Sequence, residues 1–435
     1  NIPWENFLAA TVQGKAAMLL KDSHPELAER CSIAAVEDWE AAFNSNESWE
    51  KADYREAAWG ASASLLLAEM TGDAEYYDHA VNFGSLLVEC QEQHFVDGIP
   101  VTGYFYTTSE REAVIHNRHA AFEEAPLIAL ASLCKKLPDH EDWMKWYSAA
   151  TLHSEFFMKR GSKIAQPFDL LPNSVWHKTE IEAVEEESLK EDMMRQFMDG
   201  TDLGNDYVLR TFPIYYDALF HGNTNIHMSS TWALAEASRL RNDMKGMQLV
   251  GKQFQWLFGA NPFSQSLMYG EGYDFAPHFA YCLKDLVGAL PVGMDCMSGD
   301  DPHWSATNTA TYKEIWVEPV NRFMGALAVY LSEPGISGQE EKPESSMNIR
   351  FEESTEDPEQ VVCVISSKED IGVTLKAFNL EIPDGDDQLS LDQNNSRTVK
   401  LTLKIIDPGK PYIALILNEN GEHQEAVGAG IEMNY

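Results

Sequence analysis

Gly288-Ala-Leu-Pro-Val-Gly-Met-Asp-Cys-Met-Ser-Gly-Asp-Asp-Pro-His-Trp-Ser-Ala-Thr-Asn-Thr-Ala-Thr-Tyr-Lys-Glu-Ile-Trp-Val-Glu-Pro319 is a loop dense in acids, aromatics and glycines that runs into a helix. Pro319 is pre-set for a first helical turn, and Trp316, Val320, Phe323, Leu327 and Leu331 then recur at helical spacing. Glu314 therefore falls just before or at the helix start, where a carboxylate is well placed to act. The plainer reading is a surface loop whose acid merely complements the helix dipole.

Upstream of this loop the apolar residues keep the same three-and-four spacing. It predicts helices over 7–20, 26–43, 54–70, 74–91, 122–137, 143–158, 181–198, 228–239, 244–258 and 320–331. Thr71-Gly-Asp reads as a helix stop followed by a cap for the next helix. These roughly ten helices are joined mostly as sequential hairpins, with longer insertions near 93–119, 160–180, 199–225 and 260–310. Sites usually lie on such insertions.

Beyond residue 332 the period breaks. Residues 333–346, rich in Glu, Pro, Gly and Ser, read as a linker. Strands at 361–365, 372–378, 399–405 and 412–417, divided by Asp, Gly and Asn turns, predict a small antiparallel β-sandwich over 347–435. With few exposed aromatics it reads as a structural accessory to a helical domain over 1–332.

At 435 residues the chain is long enough for two domains and a large core. Its formal net charge of -37 argues against nucleic acid and anionic membranes as partners, because both present phosphate. No apolar run approaches the roughly 20 residues that cross a bilayer. A chain that starts with Asn1 reads as processed, which points to a secreted or periplasmic location. The six cysteines are scattered without a CxxC pair and read as core thiols.

Four loop clusters carry candidate chemistry. In Ile115-His-Asn-Arg-His119, His116 and His119 share a face and Arg118 suits a carboxylate or sulfate; capping or hydrogen-bonded histidines are the bland alternative. A third zinc ligand is missing there, so no metal is assigned; a structural calcium is left open. In His221-Gly-Asn-Thr-Asn-Ile-His227, Thr224 or Asn225 is a natural N-cap. The loop 259–278 offers Tyr269, Tyr273 and Phe275 for stacking on sugar rings, or for packing the loop down. The opening loop supplies Asp295, Asp300, Asp301, Trp304, Tyr312, Glu314 and Trp316. No Gly-x-Ser-x-Gly elbow, P-loop, dinucleotide fingerprint or His-Glu-x-x-His is present.

Gly259-Ala-Asn-Pro, Gly288-Ala-Leu-Pro-Val-Gly and Tyr312-Lys-Glu-Ile-Trp-Val-Glu-Pro-Val-Asn-Arg-Phe-Met-Gly-Ala-Leu-Ala328 together resemble motifs of glycoside hydrolase family 9. The resemblance spans roughly 5–332. It implies a mainly α fold, an (α/α)6 barrel or toroid of helical hairpins, acting on a polysaccharide or oligosaccharide by inverting hydrolysis. It places Glu314 at the general acid and His278 among the loop histidines.

Two departures stand out. The Asp-Ala-Gly-Asp motif that supplies the family's base is missing, and Lys313 replaces an Asn. The first helix resembles one that normally follows that motif, so the expectation is a barrel incomplete at its N-terminus, completed by a missing segment or a second chain.

Inverting hydrolysis needs a protonated acid and a second carboxylate roughly 6.5–9.5 Å away. Asp301 and Asp217 are the candidate bases. Asp300 and Asp301 would help Glu314 keep its proton, and Lys313 would oppose this unless it points away. The catalytic candidates are thus Glu314, His116, His278, Asp301 and Tyr312. The substrate-binding candidates are Arg118, His119, Trp304, Trp316, Tyr269, Tyr273, Asp300 and His227.

The runner-up is a polysaccharide lyase on uronic-acid glycans, with His116 or Tyr312 removing the α-proton while Asn117 and Arg118 neutralise the carboxylate. A third alternative is a non-catalytic glycan-binding scaffold.

Overall fold

A computed structural model of the chain describes residues 2–46, 48–118, 120–215, 222–277, 279, 286–296, 298–334, 336, 345–353 and 357–429. Two compact units divide it, Asn1–Glu92 with Gly103–Glu333, and Gln93–Thr102 with Pro334–Tyr435.

The first unit holds helices α1 (Pro3–Leu20), α2 (Pro25–Phe43), α3 (Tyr54–Thr71), α4 (Glu75–Glu89), α5 (Glu124–Lys136), α6 (Trp143–Leu152), α7 (Arg160–Ser162), α8 (Lys178–Glu182), α9 (Glu187–Met198), α10 (Thr224–Arg241), α11 (Met244–Leu257), α12 (Ala310–Lys313) and α13 (Val317–Ser332). The long helices match the spacing predictions closely. The stretch predicted as 143–158 is α6 followed by a π-helical segment, His153–Lys159, and then α7. The helix predicted at 181–198 is two helices, α8 and α9, and α10 begins well before residue 228.

Local chemistry explains the boundaries. Asp53 opens α3 with a capping box: its carboxylate accepts the Arg55 amide at 2.8 Å, and Glu56 reaches back to the Asp53 amide at 3.1 Å. Gly72 ends α3 in the left-handed conformation with its N–H on the Ala68 carbonyl. At α10 the N-cap is Asn223, without a side-chain cap bond. Neither Thr224 nor Asn225 is the cap, because the helix already includes both.

α1 packs on α2 and α3, α3 on α4 and α5, α5 on α6 and α10, and α10 on α11 and α13. This places α1, α3, α5, α10 and α13 in an inner layer, with α2, α4, α6 and α11 as outer partners. α3 and α10 are buried on nearly every face, as a central helix must be. α1 and α13, first and last of the layer, do not pack on each other in the same extensive way.

Helix approach is close where α13 crosses α10. A Cβ on Gly325 would lie 2.6 Å from the Trp232 ring.

α1, α3, α5 and α10 are each followed by a short turn and an outer helix that packs back on it. Their C-terminal ends carry the short turns at 21–24, 72–74, 137–142 and 242–243. The long loops 90–123, 163–223 and 258–316 lead into the N-termini of α5, α10 and α13. These loops hold small antiparallel elements that the spacing does not reveal: β1 (Ser174–His177), β2 (Thr201–Gly204) and β3 (Tyr207–Arg210) in the order β1-β3-β2, and the hairpin β4 (Asp295–Cys296) with β5 (Pro302–His303).

In the second unit, β6 (Met347–Glu353), β7 (Gln360–Ser367), β8 (Ile371–Phe378), β9 (Leu380–Glu381), β10 (Gln388–Leu391), β11 (Thr398–Ile405), β12 (Tyr412–Asn418) and β13 (His423–Gly428) form two antiparallel four-stranded sheets. Their orders are β10-β8-β12-β13 and β6-β7-β11-β9. Ile349, Cys363, Ile365, Leu375, Leu403 and Ile416 are among the side chains of their shared core.

Residues 93–102, from the connection between α4 and α5, belong to this unit. Phe95 donates its N–H to the Gly409 carbonyl, and His94 Nε2 lies 3.1 Å from the Asp407 carboxylate. Phe95, Ile99 and Val101 are buried. Among the described residues no helix is long and apolar enough to cross a membrane, and no disulfide is formed by Cys31, Cys90, Cys134, Cys296 or Cys363.

Candidate active site

The N-terminal ends of the inner helices are bound into one chain of contacts. The Arg55 guanidinium of α3 lies 5.0 Å from the ring of Trp4 in α1, and Trp4 meets Phe122 edge-on at 4.9 Å. Arg322 of α13 covers the Phe122 ring at 5.0 Å, donates to the Ala121 carbonyl, and approaches Glu124 of α5 at 3.4 Å. Ser229 of α10 donates to Glu124 at 2.5 Å and accepts the Glu123 amide at 2.8 Å. Burial pushes the Glu124 carboxyl up, while Arg322 and the Ser229 hydroxyl favour its charged form.

Beside it Glu123 accepts from Asn117 at 3.0 Å and lies 3.2 Å from Nε2 of the fully buried His153. The sequence shows only two acids opening an apolar helix. Their partners on three other elements have no local signature.

Glu314 is half-buried between α12 and α13. Its carboxylate accepts the Trp316 indole N–H at 2.9 Å. Its backbone is fixed by the segment 290–294: Val292 N–H donates to the Glu314 carbonyl at 2.7 Å, and Gly293 N–H to that of Tyr312 at 2.9 Å. The same segment accepts the amides of Asn223 and Thr224 at the start of α10, both at 2.9 Å.

Gly293, at φ 113°, has room only for hydrogen; a Cβ there would sit 2.0 Å from Thr224 Oγ1. The motif Gly288-Ala-Leu-Pro-Val-Gly is therefore a splint joining α10 to the Glu314 segment.

Lys313 points its ammonium over the Trp304 ring, 5.1 Å from the centroid, and among the described residues makes no ion pair with Glu314. Burial pulls the lysine below its ordinary value. Trp304 is in turn held by Gln265 at 2.8 Å, so one face of its ring and its N–H are engaged.

The paired acids of the same loop separate. Asp300 accepts the amides of Thr211 and Phe212 at 2.5 and 3.1 Å and pairs at 3.1 Å with the fully buried Arg210. Burial pushes its carboxyl up against those three partners. Both of its oxygens thus hold donors of the 210–212 segment. Asp301 faces outward and lines a cavity of about 330 Å³ with Gln166, Thr201, Thr211 and Pro302.

Several candidates are packed against neighbouring groups. His116 stacks on Trp176 at 3.4 Å, nearly parallel, while its Nε2 lies 2.7 Å from Glu180. His227 is buried against Gln253 at 2.8 Å, and burial pulls its pKa down to about 4, which leaves it a neutral structural group. Burial pushes the Tyr312 phenol up, with Asp295 adding to the shift, opposite to what a tyrosine base needs.

Tyr269 packs edge-on against Phe275 at 5.0 Å, whereas Tyr273 projects fully into solvent. Arg118 is half-buried. His119, Asp217 and His278 lie outside the described residues. Among the described residues no group of three or more His, Cys, Asp or Glu could hold a metal ion.

No known family profile and no curated protein sequence matches the chain. The solved structures similar to it include glycoside hydrolase family 9 enzymes. The cellulase Cel9M of C. cellulolyticum is 14% identical with a TM-score of 0.47, over 76% of this chain and 64% of that one. The catalytic domain of Clostridium thermocellum CelT is 13% identical with a TM-score of 0.44, over 79% and 63%. A metagenome-derived family 9 endoglucanase is 13% identical with a TM-score of 0.44, over 76% and 52%. The chain thus spans less than two-thirds of the length of these enzymes.

Proposed function

We propose that the chain cleaves glycosidic bonds of a polysaccharide or oligosaccharide by inverting hydrolysis, with Glu314 as general acid. The setting of Glu314 carries the reading: a half-buried carboxylate at the long-loop end of the inner layer, one oxygen held by the Trp316 N–H, the neighbouring lysine turned onto Trp304. The Trp316 bond fixes the rotamer and leaves the other oxygen for the leaving group. A neutral acid protonates the glycosidic oxygen as the bond to the anomeric carbon breaks. A second carboxylate removes a proton from the water that attacks the opposite face. Asp301 is the candidate for that base, since it is the outward-facing acid of the same loop and lines a cavity.

The second reading is β-elimination on a uronic-acid glycan with His116, which stacks on Trp176 and holds its Nε2 2.7 Å from Glu180. Screening neutral and uronic-acid polymers for reducing ends and for near-ultraviolet absorbance tests the reading. Hydrolysis gives saturated products with inverted anomeric configuration. Glu314→Gln should lower turnover by about 10²–10⁴, the range for loss of general acid catalysis. Asp301→Asn should do the same with folding intact. Unsaturated products, or full turnover in Glu314→Gln, would overturn the assignment.

A further inference from the structure

Away from Glu314, the outer helices α2 and α4 enclose two neighbouring cavities of about 600 and 470 Å³ that share Phe43, Asn44 and His79 and so form one groove. Its wall is aromatic and already set in place. Phe43 stacks on Trp39 at 4.6 Å and meets His79 at 4.5 Å. Trp49 is locked by its indole N–H on the Phe43 carbonyl at 3.1 Å and by the Phe83 ring at 5.1 Å. Phe43, Trp49 and His79 remain half-buried, each lining a cavity. The side-chain amides of Asn44 and Asn82 stand at the groove without a partner among the described residues.

We propose that this groove is a second glycan-binding site, separate from the candidate active site, which takes a neutral oligosaccharide chain. A sugar ring has an apolar C–H face that packs on aromatic rings and an edge of hydroxyls that both donate and accept. An amide is the side chain that answers such an edge with both functions at once. A platform fixed before binding loses little freedom on binding. The charge selects among glycans: among the described residues Glu40, Asp73, Glu75 and Glu89 line the groove and no Lys or Arg does, so a uronic-acid polymer is repelled. The ligand class rests on the glycan reading above; the groove does not.

The test is retardation of the folded protein in native gels containing hydroxyethylcellulose, xyloglucan, galactomannan or polygalacturonate. Asn44→Ala/Asn82→Ala changes two exposed positions and leaves the core untouched. At least one neutral polymer should retard the wild type and polygalacturonate should not. The double variant should bind roughly tenfold more weakly, as expected for two lost hydrogen bonds, while cleavage of a short soluble substrate is unchanged. Equal retardation of the double variant and of Trp49→Phe, or retardation by polygalacturonate alone, overturns the proposal. Glu314→Gln run alongside separates the two sites: it should lose turnover and keep the retardation.

Discussion

His227 shows how a single buried group couples this fold to pH. Gln253 uses its amide N–H groups on the carbonyls of Asp169 and Leu249, so its oxygen must accept from His227 Nε2–H. Burial holds the native pKa near 4, against about 6.5 for an exposed histidine. Between those values the unfolded chain binds a proton that the native protein refuses. The contribution is therefore fully present above about pH 6.5 and is lost as pH falls toward 4, by up to about 1.4 kcal/mol per pH unit. Urea unfolding of wild type and His227→Gln at pH 7, 5.5 and 4.5 checks this. The variant should be less stable at pH 7 but show a shallower acid loss, and parallel slopes would refute it.

Individual residues were legible only where their neighbours in sequence define them. Glu314 was placed by Pro319 and the apolar repeat behind it. Asp300 was not, because its partner Arg210 is on another loop, and neither was the packing of His116 on Trp176 and Glu180.

At the level of elements, close helix approach is the feature most open to test. The Trp232 ring lies flat across Gly325, so Gly325→Ala inserts a methyl into space the ring already fills. Overpacking of this kind costs about 1–3 kcal/mol. Thermal and chemical denaturation should show it, and Trp232→Phe, which frees space, should recover part of the loss; an unaltered Gly325→Ala melt would show that the α10–α13 contact can yield.

The long helices were readable because apolar residues recur at three-and-four spacing for many turns, as one buried stripe in α4, α11 and α13 and over most faces in α3 and α10. The π-helical segment 153–159 continues such a stripe and so left no mark. β1 to β3 are too short to establish a period of two, and β13, His-Gln-Glu-Ala-Val-Gly, is too polar. The strand pattern of β7, β8, β11 and β12 stood out because their alternate residues fill the core between the sheets.

For the molecule as a whole, the segment 93–102 matters more than its length suggests. A cut after Glu333 removes the strands but leaves Phe95, Ile99 and Val101, buried residues of the second unit, on the remaining chain. A protein ending at Glu333 is expected to give less soluble material than the full chain. Limited proteolysis should nick it first within 93–102, whereas the full chain resists there. Equal yields and equal resistance would show that this segment is held by the helical unit alone. No periodicity in the sequence announces that role, since it comes from strands hundreds of residues away.

The order in which the chain is made gives that segment a waiting time. Residues 93–102 leave the ribosome long before Asp407 and Gly409, their partners, have been translated. At about 5–20 residues per second the intervening synthesis takes roughly 15 to 60 seconds. During that interval three apolar side chains hang from a connection whose flanking helices are free to pack. A nascent chain stalled before the last strands should therefore be a client for holding chaperones, and one released complete should not.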